Sequence, residues 1–318
     1  MSTPNFLQEK LGIQYPIILA PMFLVSNEEM IIEALRAGIT GAIPALNYRS
    51  IEDFQAAIRS IRKKQKGPFG INLIVNRSNI HLEKQLEVCC SEKVDFIITS
   101  LGSPKEVIRE VHKYGGLVFC DVTSYEYAQK VEQLGADAVI AVGSEAGGHA
   151  GPVKSVELIR ELKEHCNLPI ISAGGISNHA SYQERMDLDI AGVSVGTIFI
   201  ASKESPVSEK YKQACVNYGA NDIVTTTKLS GVPCTVINTP YVQKMGVKQS
   251  FFLRFLNKRK SLKKWLKSLT FLLGMKKLRN AAFGYDYKEV WCAGPSIEHV
   301  KEIKSITAIV QDITGSTS

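Results

Sequence analysis

The sequence predicts an α/β fold, a (β/α)8 TIM barrel with a small, mainly helical cap near the C-terminus. Short apolar runs alternate with amphipathic stretches of helical length, which is typical of βα units around a parallel sheet. There are eight such runs, and 318 residues suffice for one barrel with an addition, since a barrel takes about 250 residues. A doubly wound sheet, the competing fold, would normally stop at about five or six strands and carry G-x-G-x-x-G after the first, and that motif is absent.

The eight apolar runs predict the barrel strands. They cover residues 17–20, 41–45, 69–74, 94–99, 117–122, 138–142, 169–173 and 192–196. The amphipathic stretches between them predict helices near 27–37, 50–65, 80–91, 104–114, 124–134, 154–165 and 177–188. Ser26, Ser50, Ser103 and Ser124 precede four of these helices at positions typical of N-caps.

The pattern changes after Gly196. A helix is predicted over 207–218, two short strands over 222–227 and 234–237, and a last helix over 296–312. These elements do not repeat the βα order. We therefore predict a barrel over 1–205, a cap over 206–287 that includes a basic amphipathic segment at 241–280, and a C-terminal helix within 288–318 that returns to the barrel.

Composition excludes several classes of protein. With 45% hydrophobic and 22% charged residues and a mean hydropathy of −0.01, the chain is neither disordered nor collagen-like. The first residues show no signal peptide and no apolar run of about 18 residues, so a cytoplasmic protein is expected. The seven cysteines form no C-x-x-C pair and no zinc-type cluster with histidines. We therefore expect no metal site and reduced thiols, mostly small core residues; a catalytic thiol has no local motif in its favour.

The positive charge of the chain is concentrated in one segment. Residues 241–280 hold twelve Lys and Arg and no Asp or Glu, which exceeds the net charge of +7, so the rest of the chain is net acidic. No nucleic-acid-binding motif accompanies the segment, and no nucleic acid partner is expected. Leucines and Trp265 recur there at helical spacing between lysines. This predicts a basic amphipathic helix that lies on an anionic membrane or, as favoured, packs its apolar face on the barrel.

Function in a barrel lies where the strands end. Glycines follow two consecutive predicted strands, in Ala173-Gly174-Gly175 and in Gly196-Thr197. Such glycines let backbone N–H groups approach a phosphate near a helix N-terminus. One motif alone would indicate only a tight turn, but the two together predict a phosphate site.

The loop after the sixth predicted strand, GSEAGGHAG over 143–151 (the His loop), holds the one histidine of six that lies in a glycine-rich strand-end loop. A neutral imidazole there could accept a substrate proton near physiological pH, so His149 is predicted to be catalytic. Glu145 could orient a loop amide or a ligand hydroxyl, and a solvated carboxylate is an equal alternative. The other histidines fall in or beside predicted helices and are expected to be surface or packing residues.

Five motifs in chain order carry a resemblance to a known family. They are PIILAPM, FGINL, GSEAGGHAG, ISAGGIS and GVSVGTIFIASKES. Over roughly residues 12–240 the chain resembles the nitronate monooxygenases, formerly called 2-nitropropane dioxygenases, which are FMN-dependent TIM barrels. The same barrel and His loop occur in FMN-dependent enoyl-[acyl carrier protein] reductases, so the resemblance specifies the cofactor, FMN, more sharply than the subfamily.

The resemblance implies how the barrel residues would hold FMN. The backbone of Ala20, Pro21 and Met22 would lie against the isoalloxazine ring, and the Asn72 side chain would hydrogen-bond the polar edge of the ring. The two glycine motifs that end the seventh and eighth strands would bind the FMN phosphate.

Further positions are implied in the His loop and at two strand ends. Gly147 and Gly148 would pass close to the cofactor, and Glu145 could meet a ribityl hydroxyl. Asp121 would lie near the flavin where relatives more often have a neutral Thr or Gln, and Ser194 stands where many have Gln. The sequence departs from the family pattern at these last two positions.

The resemblance also implies the reaction. A nitronate monooxygenase oxidises alkyl nitronates and nitroalkanes with O2 to carbonyl compounds and nitrite, with His149 as the general base and no pyridine nucleotide. The alternative is an FMN-dependent enoyl-[acyl carrier protein] reductase that uses NAD(P)H, whose acidic carrier protein residues 241–280 would attract. A further alternative is a flavin-binding module that docks to a membrane or carrier protein through that segment. A homo-oligomer is compatible with each.

Overall fold

The computed structural model describes residues 5–76, 79–228, 233–247 and 290–316, and in it eight parallel strands close into a barrel. The strands neighbour one another in chain order, and the last barrel strand pairs with the first to close the ring. The predicted (β/α)8 fold is therefore confirmed. The barrel strands are β1 (Ile17–Leu19), β2 (Thr40–Pro44), β3 (Gly70–Ile74), β4 (Phe96–Ser100), β5 (Leu117–Val122), β6 (Ala138–Val142), β8 (Ile170–Ala173) and β9 (Gly192–Val195).

Among the described residues, nine helices accompany these strands, and all but the first lie outside the barrel. They are α1 (Phe6–Leu11), α2 (Glu28–Arg36), α3 (Ile51–Lys64), α4 (Leu82–Ser91), α5 (Lys105–His112), α6 (Tyr125–Gln133), α7 (Ser155–His165), α8 (His179–Met186) and α9 (Thr197–Ile200). Ser50 caps α3 as predicted. The caps predicted at Ser26 and Ser103 are wrong, because Asn27 caps α2 and α5 follows Pro104 without a side-chain cap.

Aromatic rings fill the end of the barrel at which the strands begin. Phe96 and Phe119 are fully buried and stack with ring centroids 5.1 Å apart, and Phe6 of α1 meets Phe119 edge-on at 6.4 Å. Leu7 and Leu11 of α1 are buried in the same cluster. Because α1 closes this end, the carboxyl ends of the strands form the accessible end of the barrel.

The chain after β9 adds a small sheet to the loops at that accessible end. The described residues contain α10 (Glu209–Asn217), α11 (Pro240–Met245) and the two predicted short strands, β10 (Ile223–Thr226) and β11 (Cys234–Ile237). β11 pairs with β10 and also with β7 (Gly148–His149), a two-residue strand of the His loop. Residues 248–289, which include most of the basic segment and the rest of the predicted cap to residue 287, lie outside the described residues.

The single helix predicted over 296–312 is wrong in its first half. Pro295–His299 forms a 3-10 helix, and an α-helix, α12, spans Ile306–Thr314. Lys304 bridges to Ser202 in the stretch between them, and the Ser305 side chain caps α12. α12 packs against α2 and α8 on the outside of the barrel. Across the residues that the structure describes, no helix has the length and apolar character needed to span a membrane.

Candidate active site

A pocket of about 550 Å³ opens at the carboxyl ends of the barrel strands. Every residue that the sequence predicts to bind a cofactor or to act in catalysis lines this one pocket. These residues are Ala20, Pro21, Met22, Asn72, Asp121, Glu145, Gly147, Gly148, His149, Ala173, Gly174, Gly175, Gly196 and Thr197. The barrel therefore brings together residues that are far apart in the sequence. The role of each residue in binding or catalysis stays a prediction.

The loop after β1 forms one wall of the pocket and is held by two polar side chains. Ser26 Oγ accepts from the Met22 amide (2.9 Å) and donates to the Ala20 carbonyl (2.9 Å). Asn47 accepts from the Leu24 amide (2.8 Å) and donates to the Ser26 carbonyl (2.8 Å), and Leu24 adopts a left-handed φ of 60°. Asn47 carries no sequence signal for this role, whereas the signal at Ser26 points instead to a helix cap.

Three polar side chains on neighbouring strands form a hydrogen-bonded row along the pocket. Asn72 donates to Ser100 Oγ (2.8 Å) and to the Ile98 carbonyl (3.1 Å), and Ser100 donates to the Asp121 carboxylate. Burial raises the pKa of Asp121 from 3.8 to about 6, and the Ser100 hydrogen bond opposes part of this rise. The row therefore ends in a carboxyl group that is much weaker as an acid than usual.

The glycines after β8 bring three backbone segments close together. Gly174 and Gly175 have φ values of 105° and 78°, a region that favours glycine. A Cβ added at Gly174 would lie 2.7 Å from the Ala146 nitrogen, and one added at Gly147 would lie 2.7 Å from Thr197 Oγ1. The loop after β8 thus meets the backbone of the His loop, and the His loop lies against the Thr197 side chain at the start of α9. Such a surface offers amide groups to a ligand, which suits an anionic phosphate.

His149 reaches the pocket from a loop that is tied to the later part of the chain. It pairs with Cys234 across β7 and β11, and Thr235 Oγ1 donates to the Ala146 carbonyl (2.8 Å). Although His149 is accessible from the open pocket, the protein around it removes much of its hydration and lowers its pKa. The imidazole is therefore neutral at neutral pH and able to accept a proton.

Glu145 is bound within the His loop and to the helix that follows. Its Oε2 accepts from the Ser155 amide (3.1 Å) and from the Ser144 hydroxyl (3.2 Å). Its Oε1 lies 3.9 Å from a guanidinium nitrogen of Arg185, a buried residue. Of the two sequence-based alternatives, these contacts favour a carboxylate that orients loop amides over a freely solvated one.

Residues from beyond the barrel complete the pocket wall. Trp291 stacks on Tyr211 with ring centroids 5.5 Å apart, and the Tyr211 hydroxyl donates to the Cys292 carbonyl. The Gly294 amide donates to Thr197 Oγ1 (3.0 Å), which connects this segment to the end of the barrel. These residues do not follow a barrel strand, so the strand-end rule does not find them. The sequence WCAGP at 291–295 is a local signal for Trp291, Cys292 and Gly294, but not for Tyr211.

The ionisable character of the pocket is mainly acidic. Asp121 and Glu145 line it, whereas no lysine or arginine of the described residues does. Nor does the described part of the chain bring three His, Cys, Asp or Glu side chains together as a metal ion would require.

Comparison with known proteins identifies the family. A family model described as nitronate monooxygenase matches residues 76–316. The chain belongs to the nitronate monooxygenase family. It is therefore an enzyme, an oxidoreductase of a flavin-dependent family.

Relatives in this family and fold carry several different names. FabK from Thermotoga maritima is similar in structure, with a TM-score of 0.84 and 30% identity over 98% of this chain and 95% of that one. A probable nitronate monooxygenase of Staphylococcus aureus (strain JH9) is 28% identical over 77% of this chain and 81% of its own. A (3aS,4S,5R,7aS)-5-hydroxy-7a-methyl-1-oxo-octahydro-1H-indene-4-carboxyl-CoA dehydrogenase of Rhodococcus jostii (strain RHA1) is 28% identical over 75% of this chain and 67% of its own. Membership of the nitronate monooxygenase family thus leaves the substrate open.

Proposed function

We propose that the protein is an FMN-dependent nitronate monooxygenase, which oxidises alkyl nitronates and nitroalkanes with O2 to carbonyl compounds and nitrite. The observation that carries this proposal is the presence of His149 in the same pocket as the glycine loops after β8 and β9. A base for the substrate proton and a cradle for the cofactor phosphate would then lie at the same strand ends.

The backbone of the pocket fits the phosphate end of FMN. The loops around Ala173, Gly174, Gly175 and Gly196 would bind the phosphate through amide groups, because glycine leaves no side chain in the way. A Cβ at Gly148 would meet no atom within 4 Å, so this part of the His loop borders open space on the side where a ligand would lie.

The ring end of FMN fits the loop after β1 and the polar row. Backbone from Ala20 to Met22, fixed by Ser26, would lie against the isoalloxazine ring. Asn72 donates through Nδ2 to the Ile98 carbonyl and to a hydroxyl, so its Oδ1 is the atom suited to accept from an N–H of the ring. When bound, FMN would accept electrons from the substrate and pass them to O2.

His149 would act on the substrate proton. A nitroalkane must lose its α-proton before it can give up electrons, and the lowered pKa of His149 keeps the imidazole in the form that accepts one. Phe23, Leu46 and Val207 line the same pocket and would contact the alkyl part of the substrate.

The His149→Ala variant tests this assignment. General base catalysis typically contributes about a hundredfold to ten-thousandfold, so turnover of neutral nitroalkanes should fall by that order. Turnover of preformed nitronates should fall far less, since these substrates are already deprotonated. His112→Ala is the control, because His112 pairs with Asp137 on the outside of the barrel. Equal losses on both substrates, in a variant that still binds FMN, would remove His149 from this role.

Reduction of an enoyl thioester by NAD(P)H is the second candidate. The observation that favours it is the 30% identity to FabK over almost the whole of both chains. Anaerobic titration of the FMN-loaded protein with NADH and NADPH, followed by visible flavin absorbance, separates the two candidates. Rapid bleaching would move the assignment to the reductase. No bleaching, in a sample that a nitronate then reduces, would support the monooxygenase.

We also propose partners and a location for the protein. An acidic carrier protein or an anionic membrane would bind through residues 241–280, most of which lie outside the described residues. Sedimentation with anionic vesicles at low and moderate salt tests the membrane, and binding that is insensitive to salt or absent would exclude it. A cytoplasmic location and assembly into a homo-oligomer are likewise proposals.

A further inference from the structure

Two cysteine thiols face each other in the wall of the pocket. Cys234 of β11 and Cys292 of the segment that returns to the barrel have sulfur atoms 3.7 Å apart, and both thiols are free. An antiparallel bridge between Val236 and Cys292 holds the two backbones side by side. All seven cysteines lie in the described residues, and among these the Cys234–Cys292 pair is the one with sulfur atoms in hydrogen-bonding contact.

The pair is accessible from the pocket and lies next to the proposed base. Cys234 and Cys292 both line the pocket. Cys234 is directly opposite His149 in the β7–β11 pairing, and residues directly opposite in an antiparallel pair project from the same face of the sheet. Cys89 and Cys215 are also buried, but neither lines the pocket.

The two sulfur atoms differ in their chemistry. When Cys234 donates its S–H to Cys292, that hydrogen bond lowers the pKa of Cys292, whereas the pKa of Cys234 is raised by the same contact and by burial. Thiolate is the form that attacks an oxidant. Cys292 is also the more exposed of the two sulfur-bearing residues, since it is half-buried whereas Cys234 is buried. Cys292 is therefore the sulfur expected to react first, and Cys234 is the neighbour that can resolve the product.

We propose that Cys234 and Cys292 form a dithiol that hydrogen peroxide oxidises reversibly to a disulfide at the substrate end of the pocket. The Cys292 sulfur attacks one peroxide oxygen, so that an S–O bond forms, the O–O bond breaks and the other oxygen leaves as water. The Cys234 sulfur then attacks the sulfur of this sulfenic acid, the S–S bond forms, and the second oxygen leaves as water. Two thiols lose two electrons and two protons, and one peroxide becomes two waters. This proposal does not depend on the identity of the substrate.

Disulfide formation would change the pocket wall. A disulfide bond is about 2.05 Å long, so the sulfur atoms, now 3.7 Å apart, must approach by more than 1 Å. Trp291 precedes Cys292, and Gly294 closely abuts the His loop at Gly147. Drawing this segment toward β11 therefore alters the space beside His149.

The test is a thiol map of the full-length protein before and after peroxide. Reduced protein is treated anaerobically with hydrogen peroxide, free thiols are blocked with an alkylating agent, and peptides are identified by mass spectrometry without reduction. We expect a Cys234–Cys292 linked peptide, five of the seven thiols still free, and all seven restored by dithiothreitol. Cys166→Ser, which changes a half-buried cysteine outside the pocket lining, should form the same link.

Single substitutions within the pair separate the two steps. Cys234→Ser should stop the reaction at a sulfenic acid on Cys292 that dimedone labels. Cys292→Ser should form no disulfide and leave Cys234 unlabelled under the same conditions. Retention of all seven thiols in the wild-type protein would overturn the proposal, and so would oxidation that spreads equally to Cys90 and Cys166. A dimedone adduct on Cys234 but not on Cys292 would contradict the order of reaction.

Discussion

Replacing Asp121 by asparagine should change how the stability of the protein depends on pH. In the folded protein the Asp121 carboxyl keeps its proton up to about pH 6, whereas the ordinary value, which applies to the unfolded chain, is 3.8. Between these values the folded state binds more protons than the unfolded state. Raising the pH through this interval therefore favours unfolding. The free energy of unfolding should fall from about pH 4 to pH 6 because of this group and be unaffected by it on either side.

The size of the effect follows from the two pKa values. A difference of one pKa unit corresponds to about 1.4 kcal/mol, so an interval from 3.8 to about 6 corresponds to about 3 kcal/mol of stability lost by pH 7. This is an upper limit, because Asp121 lines a pocket whose water screens the charge. Asparagine has no proton to lose and can still accept the hydrogen bond from Ser100. Asp121→Asn should therefore be more stable than the wild type at pH 7, by between about 1 and 3 kcal/mol.

Urea denaturation of both proteins from pH 4 to pH 8 measures this difference. Plots of the free energy of unfolding against pH should meet near pH 4 for the two proteins and separate up to about pH 6. His149 has its own altered pKa, but its contribution is the same in both proteins and cancels in the comparison. Ser100→Ala provides a second variant, because the Ser100 hydrogen bond lowers the pKa of Asp121. Without that bond the pKa of Asp121 should rise, so the free energy of unfolding of this variant should keep falling to a higher pH than that of the wild type. Parallel curves for the wild type and Asp121→Asn would show that the carboxyl is not buried as described.

Four further substitutions test how the barrel and the His loop are held. Thr235→Val removes the donor to the Ala146 carbonyl and should lower the free energy of unfolding by about 1–2 kcal/mol, measured with urea. In Gly148→Ala the added Cβ meets no atom within 4 Å, and the residue has a φ of 77°. The free energy of unfolding should therefore fall only by the roughly 1–2 kcal/mol that a left-handed conformation costs. Gly174→Ala also brings Cβ to 2.7 Å from a backbone nitrogen, so it should lose more stability than Gly148→Ala; equal losses would refute the close contact. Phe119→Ala should lower the free energy of unfolding by about 3–5 kcal/mol, and a smaller loss would mean that the aromatic stack rearranges.

The barrel could be predicted from the sequence because its signals are local. Each strand is a short apolar run, as in Phe96–Ser100, and it is buried on both faces because helices cover the outside of the sheet. The residue types after each run then mark the functional end of the barrel without knowledge of the packing. For this reason the sequence predicts that His149 and the glycine motifs lie at one end, whereas the site role of Asn72 is implied by the family resemblance.

The remaining features depend on contacts between distant parts of the chain. β7 has two residues, Gly148–His149, too few to show any periodicity, and it exists only because β11 pairs with it. The extended stretch before α12 likewise follows from the bridge between Lys304 and Ser202, whereas the local pattern there favours a continuous helix. Ser26 has a capping-type residue beside it, Asn27, which takes the cap and leaves Ser26 to bind the loop. In the first two cases tertiary contact overrides a weak local preference.

The pocket draws on two parts of the chain, and this division indicates where differences in substrate would arise within the family. The glycine loops and Asn72 belong to the ends of barrel strands, whose relative positions are fixed by ladders of backbone hydrogen bonds. Trp291 and Cys234 come from segments after the last barrel strand, and bonds such as that from Thr235 to the Ala146 carbonyl join these segments to the barrel. In the proposed function the first set would hold the flavin on which the family depends. The second set would contact the substrate, and we expect it to differ between a nitronate monooxygenase and a CoA dehydrogenase, two names carried by relatives at the same 28% identity. The residues of the pocket wall after β9 should therefore discriminate between substrates better than overall identity does.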